Sequence, residues 1–270
     1  MTAIPTSLAD RAEAILREVA DEAILPRFRS LRGEEVAQKT GPDDLVTVAD
    51  REAEALLARR LPDLVPGSVV VGEEGVSADP AALKALRADA VWIVDPVDGT
   101  GNFVSGSDRF GVMAALVRGG ETVLGLIYPP VDGRCAVAER GAGAAFGGTA
   151  ITGRPGVPFE RAFGDYSKMY VDEPLRSAYE AALASAGGTR AGRCSAWAYL
   201  DTARGEADFV LQYRMTVWDH APGVLLVEEA GGAARMLTGG APYRPLAQAD
   251  APMLAVADAE MWDPYAERLA

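Results

Sequence analysis

The sequence predicts an α+β protein built in layers, and three observations carry that expectation. Long segments place apolar residues at helical spacing, the pattern of helices that bury one stripe. Short apolar runs bounded by turn residues alternate with them, and two such runs meet at Gly119-Gly120, which reads as a hairpin. Hairpins mixed with helices argue for α+β layers over a regular βαβ series. Composition agrees: 49% hydrophobic against 24% charged residues supports a sizeable core, while 29 Gly and 17 Pro without a period exclude collagen-like, coiled-coil and disordered chains.

The elements follow in order. Ser7 is placed to cap a first helix running to Leu25, on which Leu8, Ala12, Ile15, Leu16, Val19, Ala23 and Ile24 recur at helical spacing. A polar loop, Gly33 to Asp44, carries Lys39 and ends in two aspartates. A second helix covers Ala49 to Leu61, with Ala49, Ala53, Leu56 and Leu57 on one stripe. Strands are expected at Ser68 to Gly72, Val91 to Val94, Gly111 to Arg118 and Glu121 to Tyr128. The glycine-rich stretch Gly141 to Gly156 lacks a periodic apolar pattern and is the best internal boundary, dividing a lobe of residues 1–150 from one of 151–270 within a single compact unit. The second lobe reads as a strand near Ala162 to Tyr166, helices near Glu173 to Ala186 and Ser195 to Arg204, and a strand at Ala207 to Leu211. A helix from Trp218 to Glu229, strands near Ala233 to Leu237 and Met253 to Ala257, and a helix from about Glu260 complete it.

Charge and cysteine usage narrow the partners. A formal charge of -13 repels phosphate backbones and anionic lipid, so nucleic acid and membrane surfaces are not expected partners. No apolar stretch approaches the ~18 residues of a spanning helix, and the first residues lack a basic flank followed by an apolar block, so the expected location is the cytoplasm. Two cysteines, Cys135 and Cys194, suit a reducing compartment and read as small buried side chains.

Four acidic clusters sit where strands end or helices begin: Asp43-Asp44, Glu73-Glu74, Asp95 with Asp98, and Asp219. Asp95 and Asp98 flank a turn stiffened by Pro96, so both carboxylates and a turn carbonyl can share one hard cation, Mg²⁺ being the natural one. Gly99 and Thr100 follow, and their amides can face a phosphate at the same point. Taken alone, Asp-Gly-Thr after a strand is more often only a turn or a helix cap. His220, the only histidine, reads as a helix-start residue without catalytic duty.

The joint pattern is more specific. Asp44-Leu45-Val46-Thr47 with Ala49-Asp50, Gly72-Glu73-Glu74, Asp95-Pro96-Val97-Asp98-Gly99-Thr100-Gly101-Asn102-Phe103, and Trp218-Asp219-His220-Ala221 with Glu228-Glu229-Ala230-Gly231-Gly232 resemble the inositol monophosphatase family, in family order, from about Lys39 to Gly232. The resemblance implies a layered αβαβα sandwich, a homodimer, and hydrolysis of a small phosphate monoester with two or three Mg²⁺ ions and sensitivity to Li⁺. It implies Glu73, Asp95 and the Val97 carbonyl as ligands of a first metal, and Asp95, Asp98 and Asp219 as ligands of a second. Glu73 also helps place a third ion and the attacking water. Thr100, held by Asp44, orients that water, Gly99 and Thr100 offer backbone donors to phosphate, and Lys39 lies just outside the ligands.

Departures leave the substrate open. Counted back from Trp218, the family's inositol-binding Glu falls on Gln212 and its Gly-Ser-Ala segment on Arg193-Cys194-Ser195, so Arg193, Ser195 and Gln212 join Asp219 as candidate substrate-side residues. Pro222 is expected in the first turn of its helix. An inositol 1-phosphate-like ester, histidinol phosphate and a nucleotide 3′,5′-bisphosphate are the candidate substrates. A regulatory protein that keeps the fold and binds a partner is the reading from another class.

Overall fold

The computed structural model describes residues 7–39, 45–167, 171–245 and 250–269. Helix α1 (Leu8–Val19) starts at Ser7, whose hydroxyl accepts the Asp10 amide while the Asp10 carboxylate accepts the Ser7 amide. It runs on into a π-helical turn, Ala20–Ile24, so the helix expected as one unit changes pitch at Ala20. The polar loop contains β1 (Val36–Gln38), which pairs antiparallel with β2 (Leu45–Thr47) and leads into α2 (Val48–Arg60).

Next come β3 (Val69–Gly72), α3 (Glu73–Ala78), β4 (Ala90–Asp98), α4 (Thr100–Val104), β5 (Gly111–Arg118), β6 (Glu121–Tyr128), β7 (Ala136–Glu139), β8 (Gly143–Phe146) and β9 (Thr149–Ile151). The seven strands form one sheet in chain order, β3 parallel to β4 and the later neighbours antiparallel. The stretch that reads as a featureless boundary in fact holds β8 and β9, which extend this sheet. Their Gly and Ala residues pair through backbone and carry no alternating apolar signal.

The remaining elements are β10 (Phe163–Tyr166), α5 (Leu175–Leu183), β11 (Gly188–Ala191), α6 (Ser195–Ala203), β12 (Phe209–Arg214), α7 (Val217–Glu229), β13 (Ala233–Met236), β14 (Asp250–Val256) and α8 (Trp262–Leu269). Their strands make a second sheet in the order β11-β10-β12-β14-β13.

The side chains of β5 split by parity. Met113, Ala115 and Val117 enter a core with α6 and α7, while Val112, Ala114 and Leu116 enter one with α1 and α2. Val210, Met253 and Ala255 of the second sheet join the α6/α7 core, and Leu211, Leu254 and Val256 on its other face pack with Tyr179 of α5 and Tyr265 of α8. The order of layers is therefore α1/α2, seven-stranded sheet, α6/α7, five-stranded sheet, α5/α8, the αβαβα sandwich that the resemblance implies. Helices α6 and α7 approach closely at Gly223, where an added Cβ would lie 2.2 Å from the Tyr199 ring. Pro222 sits in the second turn of α7 rather than the first, so the Trp218 carbonyl has no amide hydrogen four residues on. Among the described residues no helix is long and apolar enough to cross a membrane.

Candidate active site

Strand register builds the site. Gly72 of β3 lies opposite Val94 of β4 in parallel pairing, so the next residues are Glu73, which opens α3, and Asp95, the last β4 residue before the Pro96-Val97 irregularity. Pairing of β4 with β5 runs to Asp95 opposite Met113 and resumes at Asp98 opposite Gly111. The irregularity between them is Pro96-Val97, where Pro96 has no amide hydrogen to give. The Val97 amide donates to Asp95 Oδ1 at 3.1 Å. Asp219 arrives from the first turn of α7, its carboxylate accepting the Thr216 hydroxyl. One carboxylate oxygen each of Asp95, Asp98 and Asp219 lie within 4.8 Å of one another.

This cluster is short of counter-charge. Asp95 and Asp98 are buried, and burial, reinforced by neighbouring carboxylates, raises Asp95 well above the usual range. Burial and then the Asp219 charge push Asp98 up to about 7. Glu73 rises to about 8, chiefly through burial, with Lys39 opposing and Asp219 adding to the shift. Lys39 Nζ donates to Glu73 Oε1 at 2.7 Å and to Glu74 Oε1 at 2.5 Å. Although burial disfavours its charge, these two carboxylates keep the Lys39 ammonium more firmly protonated than usual. Converging oxygen donors whose mutual repulsion no ion pair among the described residues cancels suit a hard divalent ion.

Asp98 Oδ2 is tethered from the start of α6, where the Ala196 amide donates at 2.7 Å and the Cys194 thiol at 2.8 Å. Burial, and then the Asp98 charge, raise the Cys194 thiol well above its ordinary value, so it remains an S–H donor. Its sequence reading as a merely small buried side chain missed this contact, for which a lone cysteine offers no signal. Gly99 adopts φ +83° beside Cys194, and an added Cβ there would lie 3.0 Å from the cysteine Cβ.

Among the described residues Thr100 is held by Asp50. The Thr100 hydroxyl lies 3.1 Å from Asp50 Oδ1 and 3.0 Å from the Val97 carbonyl, whereas Asp44 falls outside the described residues. Asp50 is fixed as the third residue of α2, its Oδ2 accepting the Thr47 amide at 2.8 Å and the Thr47 hydroxyl at 2.5 Å. The capping pattern Thr47-x-x-Asp50 was the available signal. Burial, opposed by the hydrogen bonds from Thr47, raises Asp50 to about 6.

Of the substrate-side candidates, Asp219 belongs to the acidic trio and the others come from α6, β12 and the segment before α6. Ser195 is the half-buried first residue of α6, and its backbone hydrogen-bonds toward Asp98. Gln212 is buried on β12, and Arg193 is exposed at the rim of a cavity it shares with Arg109 and Arg190. His220 points elsewhere: its Nδ1 lies 2.8 Å from the Tyr199 hydroxyl and its Nε2 2.7 Å from the Arg214 carbonyl. A carbonyl can only accept, so Nε2 carries the proton and Nδ1 accepts from Tyr199.

Residues 4–264 match the profile of the inositol monophosphatase family. The chain belongs to that family. An inositol-1-monophosphatase of Mycobacterium leprae is 34% identical over 246 residues, covering 86% of this chain and 82% of the relative. A Nus factor SuhB of Pseudomonas aeruginosa is 33% identical over 226 residues, covering 78% and 80% of the two chains. Among inositol monophosphatase structures, that of a Thermotoga maritima IMPase superposes with a TM-score of 0.82 at 27% identity, covering 96% of this chain and 95% of the other.

Proposed function

We propose that this member of the inositol monophosphatase family is a Mg²⁺-dependent phosphomonoesterase acting on a small polyol or sugar phosphate. The convergence of the Asp95, Asp98 and Asp219 oxygens within 4.8 Å, with the Thr100–Asp50 pair bonded to the same turn, supports this reading. Glu73, Asp95, the Val97 carbonyl, Asp98 and Asp219 would hold the ions. When bound, Mg²⁺ supplies the positive charge that stabilises the transferring phosphoryl group. Thr100 Oγ1 accepts a hydrogen bond from the attacking water while passing its own proton toward Asp50 Oδ1, which aims the water and prepares a proton acceptor. Gly99 adopts a left-handed conformation, and the amides of Gly99 and Thr100 would serve as the donors to the ester phosphate. Attack by water in line with the leaving oxygen requires no covalent enzyme intermediate.

A regulatory role has one supporting observation, the similarity to a Nus factor, but the acidic trio is complete in this chain. A phosphate-release screen decides between the two. Turnover that needs Mg²⁺, stops with EDTA and is lost in Asp98→Asn supports the enzyme, whereas no turnover across a broad monoester panel favours the regulatory reading.

A further inference from the structure

We infer that the preferred ester carries a second anionic group, a phosphate or a carboxylate, and that Arg193 with the cavity beside it holds that group. This rests on the phosphomonoesterase reading and specifies its substrate class. The cavity has a volume of about 150 Å³ and is lined by Arg109, Arg190 and Arg193 together with Ser107, Asp165 and Trp197. It adjoins the reaction centre, because Cys194, the residue after Arg193, also lines it and touches Asp98 Oδ2 at 2.8 Å.

Two of the three arginines are held in place by buried carboxylates. Arg190 donates to Asp165 at 2.8 and 2.6 Å and to Asp201 at 2.6 Å. Arg109 donates to Asp201 at 2.7 Å and lies over the Trp197 ring at 4.6 Å. Arg193 forms no ion pair or side-chain hydrogen bond with any described residue. Among the described residues these three guanidinium groups therefore have two paired carboxylates between them, leaving one positive charge in excess in a chain whose net charge is -13. Such local excess, sheltered in a concave site, attracts an anion against the field of the whole molecule. A guanidinium fork matches phosphate and carboxylate in two-point fashion, and the Ser107 hydroxyl at the same wall can add a donor. A neutral polyol would leave the Arg193 charge unused.

The test compares kcat/KM of the full chain with Mg²⁺ on four esters. Inositol 1-phosphate and 4-nitrophenyl phosphate carry one anionic group, fructose 1,6-bisphosphate adds a second phosphate, and 3-phosphoglycerate adds a carboxylate. The wild type should prefer at least one of the two-anion esters, and which one identifies the second group. Arg193→Ala should lower that preference ratio by about 10–100-fold, the range for losing a charge-assisted hydrogen bond. Arg193→Lys should retain part of it, and Arg87→Ala, at an exposed arginine outside the cavity, should keep the wild-type ratio. Equal or better turnover of the single-anion esters, or an unchanged ratio in Arg193→Ala, overturns the inference while leaving the phosphatase reading intact. No Mg²⁺-dependent phosphate release from any of the four overturns both.

Discussion

The Thr100 hydroxyl has two acceptors within reach, Asp50 Oδ1 at 3.1 Å and the Val97 carbonyl at 3.0 Å, and one proton to give. If the hydroxyl acts through Asp50, Asp50→Asn lowers kcat by about 100-fold or more with a much smaller change in KM, as loss of a general base does. A fall in KM-controlled turnover alone would instead make Asp50 a purely structural cap. The sequence motif contained both Asp44, which the resemblance pairs with Thr100, and Asp50, whose bond to Thr100 only the folded register of α2 against the β4 turn displays. Cys194 makes a second residue-level case. Cys194→Ser keeps a donor to Asp98 Oδ2 and Cys194→Ala removes it, so the Mg²⁺ concentration for half-maximal activity should rise about tenfold in the alanine variant and stay near wild type in the serine variant. Equal values in both variants would show that the thiol does not position Asp98.

Whole elements carry these side chains, and their junctions matter more than their interiors. Thr47 ends β2 and caps α2, so one substitution probes both helix stability and the site. Thr47→Ala should cost about 1 kcal/mol of stability, the usual loss for a cap, because the Ala49 amide loses its acceptor, and should also lower kcat because Asp50 loses the hydroxyl bond and keeps only that from the residue 47 amide. Thr47→Ser should restore both, and Tm together with kcat checks it. Gly223→Ala tests the α6/α7 contact: with Tyr199 2.2 Å from the new Cβ, overpacking should cost about 1–3 kcal/mol in thermal or urea unfolding. Long elements with strong apolar periodicity were legible in the sequence, among them β5, β6 and α7. The short β7, β8, β9 and β11 were not, because each has only four residues or fewer and many of them are Gly or Ala, whose contribution is backbone pairing. The cavity beside Arg193 was hidden for another reason: Arg109, Arg190 and Arg193 come together only when β11 and the start of α6 fold against the β4–β5 connection.

At the scale of the molecule, the buried carboxylates tie stability to pH and to cations. Asp50 at about 6, Asp98 at about 7 and Glu73 at about 8 all lie above their unfolded values, with burial the first cause in each. Between about pH 4 and pH 8 the native state therefore holds protons that the unfolded chain has released, and stability falls as pH rises through that window. In EDTA, Tm should drop between pH 5 and pH 8. Mg²⁺ should raise it more at pH 8 than at pH 5, since cation and proton compete for the same oxygens. A Mg²⁺ effect independent of pH would separate binding from these carboxylates. The most direct measurement is anomalous diffraction from crystals soaked in saturating Mn²⁺. The account predicts strong peaks among Asp95, Asp98 and Asp219, with Glu73 turned from Lys39 toward the ion, and their loss in Asp98→Asn. Wild-type crystals with no manganese peak between these carboxylates would contradict it.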